Sequence, residues 1–356
     1  MNMAGFGASA LAVLTLTACV FKEHVPYTPN PALESERRMV FQTDPLFEYP
    51  PTAVAVNNHT LDEEETDAYW VRSLSFPSIG ENGQKDNLVT ALYYQSKTPG
   101  KKKLIIVLPI WGSHTYPSDT IAAGLVEHGR GETHVVNFLG EDHLFDWAGM
   151  EKASSEQDLA RMMKQMTLRV RATLIDMRRL IDWALTRDEI DPGRIGVIGF
   201  SHSGIYAALL TVQEPRIAAT ALVMGLVNPH SVIAYCMAEW PRELRKTILE
   251  KFGWTVGDYE DFLEPIFQPY DPARYPGRAD PARVIIFDAY YDECVKPGTR
   301  DTLWELMGRP ERYTILDSHG AAFFAMTPLS FNWMRDAIYA FFDRTLDARQ
   351  ASDRPP

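Results

Sequence analysis

From residue 70 onward, short apolar runs alternate with longer stretches in which apolar residues recur every three or four positions. The runs VRSLSF (71–76) and LVTALYYQ (88–95) flank the turn-rich GENG and predict an antiparallel hairpin. KLIIVLP (103–109), THVVNF (133–138), RIGVIGF (194–200), AATALVM (218–224), RVIIFDA (283–289) and RYTILD (312–317) follow. These runs do not alternate with polar residues, the mark of strands buried on both faces, as in a parallel sheet.

The clearest helix spans 157–186, where Leu159, Met163, Met166, Val170, Leu174, Met177 and Ile181 recur at helical steps. Ser154-x-x-Gln157 offers a capping box, and Asp191-Pro192-Gly193 closes the connection to the next strand. Strand and helix in alternation predict an α/β fold: a mostly parallel central sheet of about eight strands with helices on both faces. Residues 226–281 break the rhythm with AEWPRELRKTILEKFGW and PYDPARYPGRADP, helical pieces without a strand. A segment of that length between two core strands reads as an inserted lid, and Trp240, Phe252, Trp254 and Phe262 make it apolar enough to supply substrate walls. The expected domain is 70–348, with a polar tail at 349–356.

Composition narrows the partners. The 35 Lys+Arg against 47 Asp+Glu leave a formal charge of −12, the wrong sign for a nucleic-acid surface. Hydrophobic residues make up 46 % of the chain, which argues for a packed core rather than disorder.

The N-terminus carries no charged side chain before Lys22, and an apolar run from Ala8 to Leu16 ends in Leu16-Thr17-Ala18-Cys19. The run is of signal-peptide length and short for a membrane span. LTAC resembles the lipobox of bacterial lipoproteins, which implies a signal peptide over 1–18 and lipidation of Cys19; the departure is the n-region, MNM, which lacks Lys or Arg. Pro26, Pro29, Pro31, Pro45, Pro50 and Pro51 suit an extended tether within 19–69. The expected location is the bacterial cell envelope, lipid-anchored on the periplasmic side. With Cys19 so used, Cys236 and Cys294 remain; the compartment would let them pair, but spacing alone does not say whether they do.

The informative motif is Ile198-Gly199-Phe200-Ser201-His202-Ser203-Gly204, at the end of a strand run and the start of the apolar helical run IYAALLTV. A serine on so sharp a strand-to-helix turn takes strained backbone angles and needs small residues two places to either side. Gly199 and Ser203 supply them. With this motif and the preceding RLIDWALTRDEIDPGRIGVIGFSHSG, residues 71–345 resemble the α/β-hydrolase superfamily, on its dienelactone-hydrolase and esterase side. The pattern G-x-S-x-G is departed from at Ser203, with Gly204 one step later.

That resemblance implies a serine nucleophile followed in the chain by its acid and then its histidine. Ser201 is the nucleophile, Asp292 in the loop after the run 283–289 is the acid, and His319 after 312–317 is the base. Asp288, Glu293 and Asp317 are the competing carboxylates: Asp288 suits a structural role, Glu293 needs the loop to turn by one position, and Asp317 lies too near the base. The oxyanion donors implied are the backbone N–H groups of His202 and, in the loop Pro109-Ile110-Trp111-Gly112-Ser113, of Trp111. No cofactor and no metal site are expected, because the chain has neither a G-x-G-x-x-G nor a P-loop, and its nine histidines form no H-x-x-x-H pair.

The expected activity is hydrolysis of a small-molecule or lipid-like carboxylic ester through an acyl-enzyme. A thioesterase or amidase would use the same residues. A peptidase is disfavoured, since relatives with that activity carry a large N-terminal propeller and only about 70 residues precede the first strand run here. A catalytically silent binding protein on the same fold is the alternative of a different class.

Overall fold

The computed structural model describes residues 23–30, 43–50, 54–61, 65–80, 88–110, 115–139 and 146–352. Its strands are β1 (Glu23–Val25), β2 (Asn57–Thr60), β3 (Tyr69–Pro77), β4 (Leu88–Ser96), β5 (Lys102–Val107), β6 (Thr133–Phe138), β7 (Ile190–Phe200), β8 (Ile217–Val223), β9 (Val284–Ala289) and β10 (Glu311–Ile315). They form one sheet in the order β1-β10-β9-β8-β7-β5-β6-β4-β3-β2. The helices are α1 (Ser118–Gly129), α2 (Trp147–Lys152), α3 (Glu156–Ala184), α4 (His202–Gln213), α5 (Pro229–Tyr235), α6 (Glu239–Phe252), α7 (Val256–Phe267), α8 (Pro297–Leu306) and α9 (Trp333–Ser352).

Each of the eight predicted runs is a strand, and the predicted hairpin is the antiparallel β3–β4 pair, with Val71 opposite Tyr94. The sheet is larger and more mixed than expected. β5 to β10 run parallel, whereas β4, β3 and β2 extend one side antiparallel and β1 caps the other. β2 reads NNHT, exposed throughout, and β1 is the three-residue EHV, so neither edge strand carries an apolar pattern to find.

The tether expected within 19–69 is corrected where the structure describes it. Besides β1 and β2, this stretch supplies Phe47, which is fully buried in the core. Arg178 of α3 donates to the Phe47 carbonyl at 2.5 Å, and Gln213 of α4 accepts the Asp44 N–H at 2.9 Å. One buried aromatic and two polar anchors outweigh the extended preference of the surrounding prolines. Two local signals also shift. Ser155 rather than Ser154 caps α3, its hydroxyl accepting the Asp158 N–H at 3.1 Å. Asp191-Pro192-Gly193 lies inside β7, where the register against β5 slips, rather than before the strand.

Both sheet faces are buried. Leu104, Ile106, Ile195, Val197 and Ile286 pack on the side of α3 and α4, and Ile105, Val107, Ile198, Phe200 and Phe287 pack on the side of α1 and α9. That double burial is why the strands read as unbroken apolar runs.

The insertion 226–281 holds α5, α6 and α7 between β8 and β9, with short 3-10 turns after them. Leu244, Ile248, Tyr259, Leu263 and Phe267 pack with Met150, Leu159 and Met163 of α2 and α3, a third apolar cluster. The aromatics expected as substrate walls are partly engaged there: Trp254 lies 5.0 Å from Phe252 and 4.9 Å from Phe262 between ring centroids. Trp240 is exposed. Among the described residues no helix is long and apolar enough to cross a membrane.

Candidate active site

β7 ends at Phe200 and α4 starts at His202, so Ser201 must make the whole reversal alone. It does so with φ 49° and ψ −113°, in the positive-φ region that side chains other than glycine rarely occupy. The crowding that enforces small neighbours is explicit. A Cβ on Gly199 would sit 2.4 Å from the Ser203 carbonyl oxygen, and one on Gly204 would sit 2.6 Å from the Cα of Gly225. Ser203, where the motif departs from glycine, is more than tolerated. Its hydroxyl accepts the Phe200 N–H at 2.8 Å and donates to the Phe200 carbonyl at 3.1 Å. The Ser201 N–H is held by the Val223 carbonyl of β8 at 2.8 Å.

The loops leaving β9 and β10 bring the other two predicted residues to Ser201. Ser201 Oγ lies 2.7 Å from His319 Nε2, and His319 Nδ1 lies 2.6 Å from Asp292 Oδ2. The second Asp292 oxygen accepts the N–H groups of Cys294 and Val295 at 2.8 and 2.7 Å, which fixes the carboxylate to its own loop. The His319 ring is largely buried. Burial disfavours its charged form, but the hydrogen bond and charge of Asp292, with Glu293 adding to them, prevail and hold its pKa above the ordinary imidazole value.

The competing carboxylates are engaged elsewhere. Asp288 is buried, with Arg312 Nε at 2.6 Å and Arg300 at 3.8 Å, and desolvation pushes its pKa up. Asp317 accepts the Ser318 N–H at 2.8 Å. Glu293 Oε2 reaches the base, but at its backbone N–H, 3.0 Å away. That contact escaped the sequence reading, in which Glu293 was only a rival acid; the adjacent pair of carboxylates in YYDECV is the one trace it leaves. His202 packs edge-on against Tyr206, ring centroids 5.1 Å apart, and desolvation lowers its pKa to about 4. The second proposed oxyanion donor, Trp111, and the proposed lipidation site, Cys19, lie outside the described residues.

Cys236 and Cys294 form a disulfide, the pairing that spacing left open. It joins the insertion to the loop that carries Asp292.

Residues 89–253 match the model of the Dienelactone hydrolase family. No curated protein matches the chain. Among solved structures, an acetyl xylan esterase from Paenibacillus is similar, with a TM-score of 0.58 at 14 % identity over 94 % of this chain and 99 % of that one. Acetyl xylan esterase 1 from Thermoanaerobacterium gives a TM-score of 0.55 at 14 % identity over 90 % and 98 %. The acylaminoacyl peptidase of Pyrococcus horikoshii gives 0.53 at 14 % identity, over 79 % of this chain and 42 % of that one. With this sheet, this serine turn and the likeness to these solved structures, the chain has the fold of the α/β-hydrolases, and the dienelactone-hydrolase match covers its part from 89 to 253.

Proposed function

We propose that this protein hydrolyses carboxylic esters through an acyl-enzyme formed on Ser201. The observation that carries the reading is the hydrogen-bonded line from Ser201 Oγ through His319 to Asp292, set on the strained turn between β7 and α4.

The chemistry follows from that line. A serine hydroxyl is a weak nucleophile, so His319 Nε2 takes its proton as Oγ bonds to the ester carbonyl carbon. Asp292 accepts from Nδ1–H, which selects the tautomer with a free Nε2 lone pair and stabilises the imidazolium that forms. The negative oxygen of the tetrahedral species is received by backbone N–H groups, with those of His202 and Trp111 in this role. Collapse breaks the bond to the alcohol, which leaves with the proton from His319. Water then attacks the acyl group, His319 accepts its proton, and the carboxylic acid departs as Oγ is reprotonated.

A fluorophosphonate probe tests the reading directly. It should label Ser201, identified by mass of the modified peptide, and Ser201→Ala should lose both the label and turnover of short p-nitrophenyl esters. Labelling elsewhere, or an active Ser201→Ala protein, sinks the mechanism.

We also propose that the protein is anchored to the cell envelope by acyl chains on Cys19. The LTAC sequence after an uncharged apolar run supports this, and the Cys236–Cys294 disulfide suits an oxidising compartment. Detergent phase partition of wild type and Cys19→Ser, with the mass of the N-terminal peptide, decides it. A wild-type protein that retains Met1 and stays in the aqueous phase would exclude the anchor.

A further inference from the structure

Residues 292–296 do more than present Asp292. Glu293, next to the acid, faces two ways: its Oε2 accepts the backbone N–H of His319 at 3.0 Å, and its carbonyl accepts the N–H of Met237 at 2.9 Å from the insertion. The disulfide joins the residue before Met237 to the residue after Glu293. On the insertion's side of this seam, Arg245 of α6, itself buried, donates to the carbonyls of Ala234 and Cys236 at 3.0 and 2.7 Å. Lys296 Nζ stands 3.7 Å from the ring centroid of Tyr235.

We propose that Glu293 is a positioning residue: its carboxylate sets the backbone of His319, and the insertion, through Met237 and the disulfide, holds Glu293 in place to do so. The inference rests on the reading of His319 as the general base. Residues 316–318, between β10 and His319, lie outside any helix or strand, so the His319 N–H is held by a side chain rather than by a ladder. A charged acceptor makes that bond stronger than a neutral one. The two neighbouring carboxylates are committed: Asp292 to the imidazole and to its own loop, Asp317 to Ser318. A base displaced by a fraction of an ångström loses its alignment with Ser201 Oγ, and a misplacement of about 1 Å is enough to cost roughly 100-fold in rate. Glu293 also contributes, after Asp292, to the negative charge that favours the imidazolium.

The test uses the full chain with p-nitrophenyl esters, comparing wild type, Glu293→Ala, Glu293→Gln and the double variant Cys236→Ser/Cys294→Ser, each checked for fold by circular dichroism. Glu293→Ala should lower kcat about 10- to 100-fold with KM little changed, and should move the acidic limb of the pH profile to lower pH. Glu293→Gln, which offers an amide oxygen to the same N–H without the charge, should recover part of the kcat and keep the shifted limb. The double variant should lower kcat in the same direction by a smaller factor.

Wild-type kcat and limb in Glu293→Ala overturn the proposal, as does a Gln variant no better than Ala. An unchanged double variant overturns the part assigned to the insertion. If Glu293→Ala does not fold, the limb of Glu293→Gln decides alone, shifted in favour and unshifted against. A wild-type protein that neither turns over esters nor takes the probe at Ser201 overturns the hydrolase reading and this inference together; normal wild-type behaviour with unaltered Glu293 variants overturns this inference only.

Discussion

The hydroxyl of Ser203 exchanges two hydrogen bonds with the backbone of Phe200, accepting its N–H and donating to its carbonyl, and so clasps the turn from which Ser201 projects. The usual glycine at this position cannot do that. Ser203→Gly should therefore keep Ser201 reactive toward a fluorophosphonate but lower stability by about 1–2 kcal/mol, because the buried Phe200 N–H loses its acceptor. Urea unfolding of the two proteins measures the difference; an equally stable glycine variant would make the clasp incidental.

The two aspartates near the end of β9 should separate cleanly. Asp292→Asn leaves the imidazole in the wrong tautomer and should cost roughly 10⁴-fold in kcat with little change in melting temperature. Asp288→Asn removes the charge that faces Arg312 and Arg300 inside the protein, and should cost about 3–5 kcal/mol of stability, the scale for breaking one side of a buried ion pair. Steady-state kinetics and thermal melts of both variants check the assignment. The reverse outcome would move the acid to Asp288.

The pH dependence has a definite sign. In the proposed mechanism His319 takes a proton only when neutral, and Asp292, helped by Glu293, raises its pKa against the opposing effect of burial. The acidic limb of kcat/KM should thus lie above the ordinary imidazole value of 6.5. In Asp292→Asn the residual activity should show that limb at lower pH. A wild-type limb below 6.5 would contradict the arrangement.

A second histidine governs stability instead. His134 of β6 is buried; its Nδ1 accepts the Ser96 N–H at 3.0 Å and its Nε2 donates to the Glu189 carbonyl at 3.1 Å, so the ring is held neutral. Desolvation lowers its pKa to about 4. The unfolded chain then binds more protons than the folded one as pH falls below the ordinary 6.5, and the stability present above that value drains away toward pH 4. The loss is about 3 kcal/mol over that window, from the size of the shift. Unfolding free energies measured across it should slope less in His134→Asn, and an identical slope would assign the acid sensitivity to other groups.

The centre of this molecule was legible because its signals are local. A hairpin around the turn-rich GENG marked β3 and β4, short apolar runs marked β5 to β10, and a strand, a serine between small residues and a helix marked the turn at Ser201. Asp292 and His319 were reached through the superfamily's chain order, each lying in a loop after a strand run that the pattern had located. What escaped is held by contacts between distant segments. β1 and β2 are short and largely exposed and carry no apolar pattern; β1 docks on β10 through backbone pairing and through His24, whose ring stacks on Tyr313 with centroids 4.1 Å apart, a contact between the two ends of the chain. Phe47 is one aromatic in a proline-rich stretch, and only the pocket made by α3 and its neighbours shows it to be an anchor. The Cys236–Cys294 pairing and the reach of Glu293 to the His319 backbone depend on how the insertion docks, which no spacing encodes.

The two short polar strands sit at opposite margins of the ten-stranded sheet, and both come from the first sixty residues of the chain. They act as a hem. Without them β10 and β3 would present open rows of backbone donors and acceptors, the template on which separate molecules pair into aggregates. β1 is only three residues long and β2 is exposed on every side chain, which makes each a poor partner for further growth. A stretch whose prolines suggest mere spacing thus keeps the sheet from propagating beyond one molecule.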